Sequence, residues 1–189
     1  MNLKEIYREK LKTTLKERRY KHTLGVAETA VKMAEKFGCD KVKAETAALL
    51  HDCAKYMSSD TILNKCTEFG IPITDSERNN PHLLHAKLGA YYAEKEYGVE
   101  DQEILEAIRN HTTGRAEMTL LEKIIFTADY IEPGRKDIEK LDFIRKTAYE
   151  NLDKAVFLIL KNTIKYLKSW NAEIDKPTLE AYNYYRNFK

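Results

Sequence analysis

The amino-acid sequence is dominated by helical periodicity, and little in it would interrupt helices. Apolar residues recur at spacings of three and four along most of the chain, as in amphipathic helices. Only 7 glycines and 4 prolines occur in 189 residues, and no segment keeps the two-residue alternation of a strand for long. With no internal repeat or linker, the pattern predicts an all-α protein folded as a single compact bundle over residues 1–189.

Local signals predict where several helices begin and end. Asp40 is expected to start a helix that continues to about Ala54. Thr119 and Glu122 have the spacing of a capping box, which predicts another helix start. The segment 72–81 is expected to be an irregular surface loop. Further helix starts are expected at Asp60 and Asp101.

The composition excludes several classes of protein. Lys and Arg total 32 against 30 Asp and Glu, so a net charge of +2 gives little reason to expect a nucleic-acid or membrane-surface partner. Apolar runs such as 155–160 are too short to cross a bilayer, and residues 1–6 lack the apolar stretch of a signal peptide. Three cysteines without a C-x-x-C pair argue against a disulfide framework or a zinc ribbon. We therefore expect a soluble cytoplasmic protein.

Four of the five histidines fall on or beside inward-facing helical stripes. They are His22, His51, His85 and His111. Two aspartates, Asp52 and Asp129, lie in similarly apolar surroundings, where an unpaired carboxylate would be costly to bury. Four imidazoles and two carboxylates that point into one helical core need a common partner. We predict that this partner is a pair of divalent metal ions.

Each aspartate also has a simpler interpretation. Asp52 could cap a helix or pair with Lys55, and Asp129 could pair with Arg135 or Lys123. These pairings leave the inward-facing histidines unexplained, so the metal interpretation is favoured for the set.

The adjacent pair His51-Asp52 indicates how two ions could be held. Neighbouring residues on a helix diverge by about 100°, so both can reach one small site only if one side chain extends sideways. A carboxylate has two oxygens and can bridge two ions, whereas an imidazole ligates one, so Asp52 is the candidate bridge. Nitrogen and oxygen donors without thiolate suit iron, manganese, cobalt or zinc.

The order of these residues resembles a known family. His22, His51-Asp52, His85, His111 and Asp129 follow one another as in the HD-domain metal-dependent phosphohydrolases, which are named after the His-Asp pair. Longer segments are similar to the bacterial YqeK-like branch, and the similarity extends from about residue 5 to residue 170. These segments are 19–26, 82–90, 108–114 and 118–135.

The resemblance implies an activity and a cofactor. The branch is similar to symmetrical diadenosine tetraphosphate hydrolases, acid-anhydride hydrolases that cleave this dinucleotide to two ADP with water activated by two metal ions. It implies a di-iron centre, with manganese, cobalt or zinc left open. One metal would be held by His22, His51, Asp52 and Asp129, and the second by Asp52, His85 and His111. The metal core would span about 19–131, and C-terminal helices about 137–188.

Residues beside these ligands are expected to contact the anionic substrate. Lys55 follows Asp52 by about one helical turn, so its side chain is expected to project toward the same opening. We expect Asp52 and Lys55 to act in catalysis, and Lys55 also to contact phosphate. Arg135 is expected to hold a distal phosphate. Further substrate contacts are expected at Arg109, Thr112, Thr113, Gly114 and His82. The alternatives for these residues are a solvated helix face or an ordinary helix end.

Three other functions stay open at this point. The chain could be an HD-type phosphohydrolase for another nucleotide, or a metal-dependent nucleotide sensor without turnover. It could also be a helical interaction module, because aromatic residues of the late helices could form a face for a homodimer. These residues include Tyr149, Phe157, Tyr166, Trp170, Tyr182, Tyr184 and Tyr185.

Overall fold

The computed structural model describes residues 3–188, and every regular element within them is helical, as predicted. The α-helices are α1 (Leu3–Thr14), α2 (Glu17–Phe37), α3 (Lys41–Leu50), α4 (Ser59–Glu68), α5 (Asp75–Asn79), α6 (His85–Lys95), α7 (Gln102–Asn110), α8 (Leu120–Ile131), α9 (Leu141–Glu150), α10 (Leu152–Ser169) and α11 (Lys176–Tyr185). Short 3₁₀ helices cover Pro81–Leu84 and Arg186–Phe188. Within this range, no helix is long and apolar enough to cross a membrane.

Five helices enclose the centre of the bundle, namely α2, α3, α6, α7 and α8. The longest of them, α2, packs against α3 and α8, while α7 packs against α3, α6 and α8. On the far side of α8, α10 packs against α8, α9 and α11. The core is one apolar cluster that includes Val26, Leu49, Leu88, Ile108 and Ile125. Polar side chains on the inner faces of these five helices are therefore surrounded largely by apolar side chains.

Side-chain caps fix several helix starts at the predicted residues. The Asp40 side chain accepts hydrogen bonds from two backbone amides at the start of α3, and Asp101 accepts one at the start of α7. At the start of α8, Thr119 and Glu122 form both bonds of a capping box. These caps satisfy amides that have no partner within their own helix.

Two local predictions for the segment 58–81 are wrong. The cap of α4 is Ser58 rather than Asp60, because the Ser58 hydroxyl accepts from the Thr61 amide at 3.2 Å. The segment 72–81 is not an irregular loop, since Thr74 and Glu77 form a capping box that opens α5.

Candidate metal centre

The carboxylate of Asp52 lies between two pairs of histidines. Its Oδ2 atom is 3.4 Å from His51 Nε2 and 3.9 Å from His22 Nε2. Its Oδ1 atom is 3.3 Å from His85 Nε2 and 3.5 Å from His111 Nε2. Asp52 is 2% exposed, so this arrangement is buried. The two oxygens of one carboxylate thus face two different groups of nitrogen atoms.

Asp129, on α8, belongs to the first of these groups. Its Oδ1 atom is 3.0 Å from His22 Nε2 and 3.9 Å from His51 Nε2. Helices α2, α3 and α8, which pack against one another, bring these three residues together. The structure therefore gathers all six predicted ligands in one place, although their role as ligands stays a prediction.

The end of α3 explains how His51 and Asp52 face the same site. The prediction that this helix continues to about Ala54 is wrong, because α3 ends at Leu50 and residues 51–56 form turns. Within these turns, Cys53 N donates to Leu50 O at 3.1 Å. In a continuing helix, His51 and Asp52 would diverge by about 100°. Here His51 is the last cap residue of α3 and Asp52 lies in the turn, and Asp52 Oδ2 comes within 3.4 Å of His51 Nε2.

Three of the histidines are oriented by backbone carbonyls. In each, Nδ1 donates to the carbonyl three residues earlier, and Nε2 faces the Asp52 carboxylate. The pairs are His51 with Ala48 at 2.6 Å, His111 with Ile108 at 2.7 Å, and His85 with His82. A carbonyl only accepts, so Nδ1 carries a proton in each ring, and Nε2 is the ring nitrogen turned inward. A metal-ligating histidine commonly has this tautomer and this outer partner.

His22 has a different outer partner, which the sequence analysis missed. Its Nδ1 atom lies 3.0 Å from Oε1 of Glu132, a buried carboxylate just after α8. Glu132 follows Asp129 by three residues, a spacing that places two helical side chains on one face. That spacing was the available signal.

Several buried polar atoms at this centre fit a metal ion. His22 Nε2, His51 Nε2 and Asp52 Oδ1 are buried without a hydrogen-bond partner. Two groups have donor atoms close enough together to hold an ion, namely His22, His51 and Asp129, and His51, Asp52 and His111. A buried polar atom without a partner is costly, and a cation would satisfy these atoms together.

The protonation states also fit cation binding. Burial alone would raise the pKa of the Asp52 carboxyl, but its contacts with His51 and His111 hold that pKa well below the usual range. Burial would also raise the pKa of Asp129, but its contacts with His22, His51 and Arg135 together outweigh this effect and lower that pKa. Burial lowers the pKa of His85 to about 4. Ionised carboxylates and neutral imidazoles are the forms that ligate metals.

Comparison with known proteins then decides the family. The HD domain family model matches residues 19–134, a stretch that contains all six predicted ligands. The chain belongs to the HD domain family. The resemblance inferred from the order of histidines and aspartates is thereby confirmed.

Similar HD domain proteins extend over nearly the whole chain. A crystal structure described as a predicted HD superfamily hydrolase involved in NAD metabolism, from Clostridium acetobutylicum, has a TM-score of 0.94 and 43% identity, covering 98% of this chain and 97% of that one. A Bacillus subtilis relative is 43% identical over 92% of both chains. A Halalkalibacterium halodurans relative is 45% identical over 92% of this chain and 91% of its own. Both relatives are named symmetrical bis(5'-nucleosyl)-tetraphosphatase.

A cleft of about 1290 Å³ is lined by the start of α2 and the turns after α3 and α8, and it reaches the predicted ligands of this HD domain at His22. Three cationic side chains connect this cleft to the cluster of the six predicted ligands. Arg19 Nη1 lies 2.6 Å from Asp52 Oδ2, and Arg135 Nη2 lies 2.6 Å from Asp129 Oδ1. Lys55 Nζ lies 3.0 Å from His85 Nε2. Arg19 was not among the predicted substrate residues, although it precedes His22 by one helical turn.

Two other predicted substrate residues of the HD domain lie close to the cluster. The Thr112 hydroxyl is 3.0 Å from His111 Nε2 and 3.2 Å from His85 Nε2. His82 is exposed, its Nδ1 lies 2.8 Å from Asn80 Oδ1, and its ring centroid is 6.2 Å from that of His85.

The remaining predicted substrate residues make contacts elsewhere. Arg109 pairs with Glu106 on the outer face of α7. The Thr113 carbonyl accepts from the Thr178 hydroxyl, and a Cβ on Gly114 would lie 3.4 Å from the Phe126 ring. These contacts are those of a helix surface and a packed turn, so substrate contact by the three residues stays a prediction.

Proposed function

We propose that this HD domain protein is a metal-dependent hydrolase that cleaves diadenosine tetraphosphate symmetrically into two ADP. The observation that carries the proposal is the position of Asp52, whose two oxygens face the nitrogens of His22 and His51 on one side and of His85 and His111 on the other. Relatives at 42–45% identity over 92% of this chain bear the name of that activity, which supports the choice of substrate.

The proposed cofactor is two divalent metal ions, with iron favoured and manganese, cobalt or zinc as alternatives. His22, His51, Asp52 and Asp129 would hold one ion, and Asp52, His85 and His111 the other. Such ions supply Lewis acidity toward a phosphoryl oxygen and lower the pKa of a water molecule to near neutrality. The chain contributes Nε2 lone pairs, fixed by the outer partners of the rings, and carboxylates that are ionised at neutral pH.

The substrate is strongly anionic, whereas the net charge of the protein is only +2, so cations near the site must attract it. Arg19, Lys55 and Arg135 bring three cations to the mouth of the cleft, beside the cluster. A guanidinium has five donors, so Arg19 and Arg135 can contact phosphate oxygens while keeping their bonds to Asp52 and Asp129. We propose that these cations hold the phosphate chain, with Thr112 offering a hydroxyl beside His85 and His111.

The proposed reaction breaks the central anhydride bond of the tetraphosphate. Water attacks one of the two inner phosphorus atoms, the bond from that phosphorus to the central bridging oxygen breaks, and both products are ADP. Cleavage one bond further along would give ATP and AMP instead. The position of the phosphate chain relative to Asp52 therefore decides which products form.

Product analysis tests this proposal. Protein purified without oxygen is incubated with diadenosine tetraphosphate, and nucleotides and metal content are measured on the same preparation. Two ADP per substrate and an inactive Asp52→Ala variant are expected. ATP plus AMP would contradict symmetrical cleavage, and tight binding without turnover would favour a nucleotide sensor.

Further parts of the proposal concern the protein as a whole. We propose a single HD-type domain over 1–189, with the metal core at about 19–131 and C-terminal helices at about 137–188. A cytoplasmic location and a homodimer formed through the late helices are proposed on the sequence alone.

A further inference from the structure

We infer that Glu132 is a positioning residue that fixes the His22 ring for metal binding, and that Gly25 and Gly134 leave the space its carboxylate needs. This inference rests on the proposed metal centre. It adds to that centre three residues that were not among the predicted site residues.

His22 needs a partner from another helix because of its place in α2. His51 and His111 each follow the last residue of a helix, where the carbonyl three residues earlier is available to accept from the ring. His22 lies inside α2, where carbonyls are used by the helix itself. An acceptor for its Nδ1–H must therefore come from a neighbouring element, and Glu132 supplies it.

The Glu132 carboxylate is held at both oxygens. Oε1 lies 3.0 Å from His22 Nδ1, and Oε2 accepts from the Gly134 amide at 2.5 Å. Its backbone carbonyl accepts from Arg145 Nη2 at 3.0 Å. Glu132 is 3% exposed, so few other conformations are open to it. A carboxylate at the outer nitrogen fixes the tautomer and the orientation of an imidazole and raises its basicity toward a metal.

Two glycines border this carboxylate closely. A Cβ on Gly25 would lie 2.6 Å from Glu132 Oε2, and a Cβ on Gly134 would lie 2.9 Å from the same atom. Neither distance allows normal van der Waals contact. Gly25 is inside α2, where glycine is among the poorest helix formers, so helix formation does not favour it there. The space that Glu132 requires does explain it.

The test uses Fe²⁺ alone, measured by equilibrium dialysis without oxygen followed by metal analysis. Wild-type protein is expected to bind two ions per chain. The nearly isosteric Glu132→Gln variant places an amide donor against either the Gly134 amide or the His22 ring, and should bind one of the two ions about 10- to 100-fold more weakly. Glu139→Gln is the matched control, since Glu139 is exposed and pairs with Lys165. Thermal melts confirm that each variant is folded under the dialysis conditions.

A double-mutant cycle separates the role of space from a general loss of structure. Gly25→Ala alone should weaken the same ion, because the added methyl displaces the Glu132 carboxylate. In a Glu132→Ala background, Gly25→Ala should have no further effect on Fe²⁺ binding, because there is no carboxylate left to displace. Equal weakening in both backgrounds would overturn the role assigned to Gly25.

The outcomes distinguish this inference from the proposed function. If Glu132→Gln binds both ions as tightly as wild type, Glu132 does not position His22, while the metal centre stands. If wild-type protein binds no Fe²⁺ and, in the same dialysis, no Mn²⁺, Co²⁺ or Zn²⁺, both the inference and the proposed metal-dependent function are wrong.

Discussion

Arg19 reaches from the cleft to the buried carboxylate of Asp52, with Nη1 at 2.6 Å from Oδ2. The Arg19 side chain is 34% exposed, whereas that of Asp52 is 2% exposed. The same carboxylate oxygen faces His51 Nε2 at 3.4 Å. One guanidinium therefore connects the cleft to the centre of the histidine cluster, which makes Arg19 a candidate for both charge balance and substrate binding.

Replacing Arg19 with Ala should lower kcat/KM for diadenosine tetraphosphate by about 10- to 100-fold, the loss expected for a charge-assisted hydrogen bond. The KM should rise because a phosphate contact is lost. Steady-state kinetics on protein of matched metal content measure the effect. Lys32→Ala is the control, since Lys32 is exposed on the same helix and pairs with Glu28. An unchanged kcat/KM in Arg19→Ala would remove Arg19 from the substrate site.

Lys55→Ala should separate turnover from metal binding. Lys55 Nζ lies 3.8 Å from Asp52 Oδ1 and 3.0 Å from His85 Nε2, and burial lowers its pKa. A partly buried ammonium at the cleft mouth suits developing charge on phosphate, so kcat should fall by about 10- to 100-fold while two metals stay bound. Metal analysis and single-turnover kinetics check this. Loss of metal in the variant would instead assign Lys55 a structural role.

Arg145 should stabilise the turn that carries Glu132 and Arg135. Its guanidinium donates to the carbonyls of Ile131 at 3.0 Å, Glu132 at 3.0 Å and Arg135 at 3.2 Å. Arg145→Ala leaves these carbonyls without that donor, so the free energy of unfolding should fall by about 2–3 kcal/mol. Urea unfolding measures the change.

The neighbouring residue Lys146 is the control for this experiment. Its side chain is 75% exposed and lies 3.8 Å from Glu150, so Lys146→Ala should change the unfolding free energy by less than about 0.5 kcal/mol. Equal stability losses in Arg145→Ala and Lys146→Ala would show that the turn does not depend on Arg145.

Metal removal should loosen the turn after α3, and Cys53 reports on it. Cys53 is 2% exposed and directly follows Asp52, and burial raises the pKa of its thiol. Labelling by a thiol reagent therefore requires local opening. A chelator should accelerate labelling of Cys53 several-fold, as followed by mass spectrometry.

Cys66 gives an internal control in the same molecule. It is fully buried on α4, and burial raises the pKa of its thiol to about 11. Because α4 carries none of the predicted ligands, its labelling rate should change less than that of Cys53. Equal acceleration at both thiols would indicate global unfolding rather than release of the turn.

Signals that depend on neighbouring residues were readable from the sequence. The caps at Asp40, Asp101 and Thr119 were predicted because each acts within one helical turn. The capping box of Thr74 and Glu77 carries the same signal and was overlooked in a segment flanked by prolines. Periodicity likewise placed the predicted ligands on inner faces, because facing the core is a property of a helix rather than of its partners.

Features that depend on contacts between helices were not readable in this way. The end of α3 at Leu50 has no glycine or proline to mark it, so the turn containing His51 and Asp52 read as helix. The contact between His22 and Glu132 joins residues 110 positions apart. The need for a glycine at position 25 becomes evident only when α2 and α8 are packed together, because a Cβ there would lie 2.6 Å from Glu132 Oε2.

Anomalous diffraction from a crystal of the iron-loaded protein tests the central claim most directly. Two anomalous peaks are expected on either side of the Asp52 carboxylate, one among His22, His51 and Asp129 and the other beside His85 and His111. A single peak bound without Asp52, or peaks away from these residues, would contradict the account.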